Sequence, residues 1–387
     1  MVIKNSYILF FSAILFFAAC IDIVQFGGVR ILLIPPFFIV ISLIFFGNIS
    51  KLSKLDVYCL YLYMIFSAIS IFYTFNFSRS IIYWVWPVFN FIALFVPFYI
   101  LSRLDFNQTL QGVLLSCRLT SVIGIVLWIL GYHERLQSLL YESSYFSIAL
   151  SIYFIYFIYN FSLSLKKLNI FDSIIVALCL IGSKSAMLLG VFILGFTFRA
   201  LMSLKSSKKF IKTISAIIFT LSLAFYYISN NNDLLSNSLH LIYRSIDEPE
   251  LLLERSGNRY PRFVLATEVI SKNPFGVGVG AYIDHIDNVQ YASSSAKAEW
   301  LDPSSKPAIN IYIEIAATSG WISALIFMGW QAVTIFRARR CKENEFVVLI
   351  SFIVMILLLQ LESNYLRPYF WCVWGMLSAL IQRRHKL

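Results

Sequence analysis

Long, unbroken apolar runs fill most of this chain, separated by short polar connectors, and within the runs polar and apolar positions do not alternate. Runs of that kind predict helices rather than strands. A helix of about 20 apolar residues is long enough to cross a bilayer. Only helices or closed barrels satisfy their backbone in lipid, and a barrel would carry a period-two alternation. Twelve spans are predicted, at 6–24, 31–48, 55–75, 81–101, 109–131, 143–163, 169–183, 185–203, 210–229, 309–336, 346–361 and 363–381. The seventh and eighth are divided only at Ser183-Lys184. The pattern breaks once, over 229–308, where charge and turn residues replace spanning hydrophobicity. The expected organisation is nine spans in 1–228, one large loop in 229–308, and three spans in 309–387. No internal repeat is visible. No cleavable signal peptide is expected, because 3–26 lacks a small-residue cleavage pattern.

Composition sharpens this into an all-α polytopic membrane protein. The 387 residues are 59% hydrophobic and 13% charged, and mean hydropathy is +0.77. A soluble domain carries about 25% charged residues. The net charge of +11 is a topology signal. Lys51 and Lys54, Arg103, and Lys166-Lys167 follow the second, fourth and sixth spans. Arg199, Lys205, Lys208, Lys209 and Lys212 surround the loop after the eighth. Arg337, Arg339, Arg340 and Lys342 follow the tenth, and Arg383, Arg384 and Lys386 the twelfth. By the positive-inside rule both termini are cytoplasmic and 229–308 is external. That loop has ten acids and seven Lys or Arg, so its net charge is −3 and the remainder carries +14. A nucleic-acid partner is therefore not expected. Of six cysteines, Cys20, Cys59, Cys117, Cys179 and Cys372 lie in or beside apolar runs and Cys341 in a basic loop. None has metal-ligand spacing, so neither a disulfide framework nor a zinc site is expected.

Within the loop, 234–246 reads as a short helix. A second helix is expected from Pro261, which suits a first turn, to Lys272, where Asn273-Pro274 ends it. Arg259 and Arg262, three apart at its start, face one side. Gly276, Gly278 and Gly280 permit tight backbone paths, but lack the strand–helix context and Lys-Ser/Thr ending of a nucleotide loop. The Ser-rich 291–306 reads as a lid or loop.

Several of these segments, in this order, resemble the O-antigen polymerase and ligase family of bacterial surface-polysaccharide enzymes. The family has a Ser-Gly-Arg segment before a short helix; here Ser256-Gly257-Asn258-Arg259 stands there, with Asn258 inserted. A Pro followed by Gly-x-Gly comes about fifteen residues later in the family, and here Pro274 precedes Gly276-Val277-Gly278. Phe263 and Ala266 stand where the family has an aromatic and a small residue. The family's His-Asn-x-Tyr-Leu run and following glycine are matched by Asn310, Tyr312, Ile313 and Gly320, with Ile309 in place of His. Upstream, Glu142-Ser143-Ser144-Tyr145-Phe146 resembles a Glu-Pro-Ser-x-Phe element, and Ser183-Lys184-Ser185-Ala186 a Ser-Arg-small element.

The resemblance implies a fold similar to the lipid-dependent GT-C-like glycosyltransferases, placed in the bacterial cytoplasmic (inner) membrane. It implies transfer of a glycan from an undecaprenyl-diphosphate-linked donor to a sugar hydroxyl of an acceptor. Membrane lipid and a chain-length regulator protein are the other implied partners, and no metal or cofactor is implied. The leaving group is a lipid diphosphate, so the site needs cations placed where its charge grows. Arginine binds phosphate oxygens bidentately. Arg259 is the first candidate for that clamp, its alternative being a loop arginine paired with Glu254 or Glu248. Arg262 is the second, unless it is a solvated face residue. Lys184 is either a phosphate contact or a lysine snorkelling to the interface. Arg118, in mid-span, is either a substrate contact or an anchor nearer the cytoplasm. Glu142 either accepts the acceptor's proton, orients an arginine, or caps a helix. Glu314 is an alternative base. Asn310, Tyr312 and Arg367 either line the substrate cavity or pin local structure.

A repeat-unit polymerase is favoured over a ligase by Ile309 and the Glu142 element. A flippase, from a different class, would show repeated halves and mid-membrane polar sites. The topology has a direct check. In an otherwise cysteine-free chain, Gln290→Cys is expected to react with a membrane-impermeant maleimide from outside intact cells; labelling only after lysis places the loop in the cytoplasm and overturns the assignment.

Overall fold

The structure is a computed structural model that describes residues 5–23, 25–26, 29–46, 52–163, 169–203, 243–244, 259–291, 307–339, 345–362 and 366–384. The expected span at 210–229, the 256–258 part of the Ser-Gly-Arg segment, most of the expected 234–246 helix, and the lid beyond Tyr291 lie outside the described residues.

Apart from an antiparallel ladder of two-residue strands, Gln25–Phe26 with Val29–Arg30, the described elements are helices. Four of them are long and apolar enough to cross a bilayer: Lys54–Tyr73, Phe77–Leu104, Phe106–Ile129 and Trp321–Ala338. A bent pair, Ser143–Ala149 with Ser151–Phe161, makes a fifth if taken as one span. Shorter apolar helices include Ser6–Ala19, Ile170–Ser183, Ala186–Leu201 and Phe346–Leu358. This is the architecture of a multi-pass helical membrane protein.

Lipid supplies no hydrophobic drive between helices, so close packing and interhelical hydrogen bonds hold them together. Aromatic rings do much of the packing. Trp330 and Trp374 lie 4.1 Å apart, with Trp371 at 5.5 Å and Phe95 at 6.3 Å from Trp374. Gly375 lets the helix Pro368–Arg384 approach so closely that a Cβ there would collide with the Phe95 carbonyl. Phe95 itself ends a π-helical turn, Phe91–Phe95, in which Val96 N–H bonds to Phe91 O. Pro97 explains the turn, because its ring would clash with the carbonyl four residues back in an unbroken α-helix. From the same cluster Trp330 Nε1 donates to Asp56 (2.7 Å), and Ser378 Oγ donates to the same buried carboxylate.

The connections cluster at two ends. Asp22 N–H bonds to Leu139 O, Leu136 N–H to Gly182 O, and Ile311 N–H to Leu359 O. The first two bonds bring the turns near residues 22, 139 and 182 together at one end, the third joins 311 to 359, and Leu361 lies across a shared cleft from Gln137 and Lys184. Thr74, from the turn between Lys54–Tyr73 and Phe77–Leu104, abuts Gly278 there. Arg103 and Arg337 terminate helices that run from this end toward the opposite one.

Two expected spans are each two helices: 143–163 bends between Ser143–Ala149 and Ser151–Phe161, and 309–336 is broken outright. Residues 309–336 form Ile311–Ser319 and Trp321–Ala338, broken at Gly320 with φ 88° and ψ 155°. Such a break releases backbone groups that lipid cannot satisfy. The glycine-rich segment satisfies them. Val277 N–H donates to Ala317 O (3.0 Å), Gly278 N–H to Thr318 O (3.0 Å), and Trp321 N–H to Pro274 O (3.2 Å). Gly276 makes this possible, with φ +85° and backbone atoms of Gly320 and Thr318 only 2.5 Å from where a Cβ would sit. The helix Arg259–Lys272 leads into this segment and buries Leu265, Ala266 and Val269. It ends as expected at Asn273-Pro274.

Gly276→Ala is therefore expected to destabilise the fold by about 1–3 kcal/mol, the cost of a strained backbone position. Unfolding of the purified protein in detergent checks this. Gly329→Ala is the control, since a Cβ there meets nothing within 4 Å.

Candidate functional site

Four separate segments meet around a cleft of about 420 Å³ at the end of the bundle where these turns gather. The 131–142 loop contributes Arg135, Gln137 and Glu142, and the helix it enters contributes Ser143 and Ser144. The break between Ile170–Ser183 and Ala186–Ser203 contributes Lys184 and Ser185. Arg259 comes from the first position of its helix, and Leu361 and Glu362 from the turn after Phe346–Leu358. The wall below the charges is apolar: Ala186, Met187, Gly190 and Leu358.

Each segment is held by local chemistry. The 131–142 loop folds back into the bundle because Leu136 and Leu140 are buried and Ser138 Oγ donates to Thr120 O (2.8 Å). Leu136 N–H caps the Gly182 carbonyl (2.8 Å), which sets Arg135 beside the Lys184 break. Lys184 has φ 46°, a left-handed conformation that costs a non-glycine residue about 1–3 kcal/mol. Strain of this kind, on the wall of a cleft, is characteristic of functional sites. The turn carrying Glu362 is braced by Asn310, whose amide donates to Gln360 Oε1 (2.6 Å).

The structure brings three of the expected site residues, Arg259, Glu142 and Lys184, onto this one cleft. Arg262, one turn along, donates through Nε to Pro307 O (2.7 Å) and ties down the chain returning to the bundle. Burial lowers its pKa, partly offset by Glu362, while Arg259 adds to the shift. Asn310 caps Ile311–Ser319, accepting from Tyr312 N–H (2.8 Å), so it positions structure. Tyr312 donates to Gln331 on the following helix. Glu314 lies within electrostatic reach of Arg262 and Tyr282 and is not on the cleft wall. Arg367 pairs with Asp22 (2.9 Å) and stacks over the Tyr145 ring (3.5 Å), and Asp22 also pairs with Arg30. Arg118 makes a two-pronged ion pair with Asp172 (2.7 and 2.8 Å), and Tyr153 donates to the same carboxylate (2.7 Å).

Two cleft residues escaped the sequence reading. Arg135 lies in a loop whose only signal was its leucines, Leu136, Leu139 and Leu140, too apolar for a solvated connector. Glu362 was a lone acid between two predicted spans. Burial raises its pKa, Glu142 adds to the shift, and Arg259, Arg367 and Arg262 oppose it.

The cleft thus sets three cations, Arg135, Lys184 and Arg259, with two carboxylates, Glu142 and Glu362, above an apolar wall. An anionic head with an apolar tail fits that arrangement. Among the described residues, no group of three or more His, Cys, Asp or Glu side chains is placed to hold a metal ion.

Arg118 has a separable test. Removing one partner of a buried ion pair strands the other charge and costs about 3–5 kcal/mol, whereas an apolar replacement of the whole set is close to neutral. Asp172→Leu alone is expected to lower the amount of folded protein in membranes. Arg118→Met, Asp172→Leu and Tyr153→Phe together are expected to restore most of it, as measured by fluorescence-detected size exclusion.

A scan of protein-family models finds no match to the chain, and a search of curated proteins finds none either.

Proposed function

We propose that the protein polymerises undecaprenyl-diphosphate-linked oligosaccharide repeat units into a surface polysaccharide of the O-antigen or capsular kind. In this reading it is a metal-independent glycosyltransferase of the bacterial cytoplasmic membrane. It has twelve spans and cytoplasmic termini, and its cleft opens outward. The observation that carries the proposal is the convergence of Glu142, Lys184 and Arg259 on one cleft. They belong to three separate sequence elements, 42 and 75 positions apart.

The chemistry follows from the cleft. As the bond from the anomeric carbon to the diphosphate breaks, the leaving group gains negative charge. Arg135, Lys184 and Arg259 are placed to hold that charge without reorganisation. The apolar wall at Ala186, Met187, Gly190 and Leu358 suits the first part of the isoprenoid chain. Arg262 and Asn310 keep the Arg259 helix and the Glu362 turn in register.

If Arg259 holds the departing diphosphate, its charge matters more in the transition state than in donor binding. Arg259→Ala is expected to slow transfer by about a hundredfold or more. Arg259→Lys should recover only part, because an ammonium lacks the planar fork. The measurement is polymer length on gels at matched membrane levels in a strain lacking the native protein. Lys272→Ala is the control, since Lys272 pairs with Glu268 (2.7 Å) on the same helix outside the cleft. Wild-type ladders from Arg259→Ala would remove the clamp from this residue. A deletion strain that accumulates long lipid-linked polymer unattached to lipid A–core would instead identify a ligase. Repeat units stranded on the cytoplasmic face would identify a flippase.

A further inference from the structure

We propose that Glu362 is the general base of the transfer, taking the proton from the acceptor hydroxyl as that oxygen bonds to the donor's anomeric carbon. The inference rests on the glycosyl-transfer reading of the cleft. In the step, the acceptor O–H bond breaks and its proton passes to the Glu362 carboxylate. The new C–O bond forms, and the bond between the anomeric carbon and the diphosphate breaks. The electron pair of that last bond leaves on the lipid diphosphate, which the cleft's cations hold. Nothing is oxidised or reduced, and Glu362 returns its proton to water.

Three observations single out Glu362 among the carboxylates near the cleft. It is on the cleft wall, whereas Glu314 is not. It is half-buried, whereas Glu142 is exposed and accepts a hydrogen bond from Ser144 Oγ (3.0 Å). It is also presented by a fixed turn. Leu359 N–H bonds to Met355 O, Gln360 N–H to Leu357 O and Leu361 N–H to Leu358 O, while Ile311 N–H and the Asn310 amide clamp the turn from outside. The turn bonded through Leu361 carries Glu362 onto the cleft wall, where a base must stand to reach the acceptor proton.

Its surroundings tune it. Burial raises its pKa and Glu142 raises it further, while Arg259, Arg367 and Arg262 lower it. Tyr145 lies in the same electrostatic neighbourhood, reached by Glu362, Glu142 and Arg367. Arg135 and Lys184 complete the charged lining. When the donor diphosphate pairs with Arg259, the opposition from that cation weakens and Glu362 becomes a stronger base. The base is thus strengthened by donor binding.

The sign of the pH dependence follows. The base works ionised, so transfer falls as pH drops through the Glu362 pKa. Glu142→Gln removes a raising influence and moves that acid limb to lower pH. The experiment uses the full chain in a strain lacking it, with pulse-labelled polymer read across acidic to neutral external pH at matched membrane levels. Glu362→Gln is expected to slow elongation by roughly 10²–10⁴-fold, the usual contribution of a general base. Glu362→Asp should keep part of the activity and an acid limb. Wild-type ladders from Glu362→Gln overturn the proposal, and so does an acid limb that Glu142→Gln leaves unmoved. If Glu362→Gln fails to reach the membrane, the Glu142→Gln limb and the Glu362→Asp rate decide. Long chains in the deletion strain itself would defeat the polymerase reading rather than the assignment of the base.

Discussion

A backbone group released inside an apolar medium must find a partner within the protein, and this constraint organises the structure around Gly320. The break between Ile311–Ser319 and Trp321–Ala338 leaves carbonyls at one helix end and N–H groups at the start of the next. The segment around Pro274, Val277 and Gly278 pairs with them directly. Because the same segment ends the Arg259–Lys272 helix, the break fixes where that helix docks, and so where Arg259 enters the cleft. The Pro-Phe-Gly-Val-Gly motif is thus a backbone adaptor: a Cβ at Gly276 would collide with the Thr318 and Gly320 backbone, and one at Gly278 with the Thr74 side chain.

Charge follows a related rule. Several buried ionised groups are matched to one another, Arg118 with Asp172 and both Arg30 and Arg367 with Asp22, while the buried Asp56 carboxylate accepts from Trp330 and Ser378. An uncompensated charge there would cost several kcal/mol. At the end of the bundle where the cleft opens, three cations and two carboxylates share one space with an apolar wall. The distinction separates arginines paired with buried carboxylates from those that line the cleft. It moves Arg118 and Arg367 to the first group, although an arginine in mid-span reads as functional by default.

The cleft is assembled from connectors that look unremarkable along the chain. A loop buried through Leu136 and Leu140, a left-handed lysine and a clamped turn after Leu358 each place one charged side chain. Irregular backbone at helix ends is tolerated in a membrane protein where it is buried or lines a cavity. Of the helix breaks near Leu150, at Lys184 and at Gly320, the one at Lys184 lines the cleft itself.

Hydrophobic run length alone determined that the chain is helical and membrane-embedded, because apolar length and lipid thickness are one-dimensional quantities. Local signals also located the end of the Arg259 helix, since Asn273-Pro274 stops a helix whatever surrounds it. The start of the bent helix at Glu142 and the break at Ser183-Lys184 were legible in the same way. The break at Gly320 was not, because a single glycine within an apolar run is compatible with a continuous helix until another segment supplies hydrogen bonds to the opened backbone. Nor could the sequence tell which charges meet in space. Arg118 meets Asp172 across 54 residues and Arg367 meets Asp22 across 345, and Glu362 joins Arg259 only through folding. Which charges neutralise each other is decided by distance in space, and only the tertiary structure sets that distance.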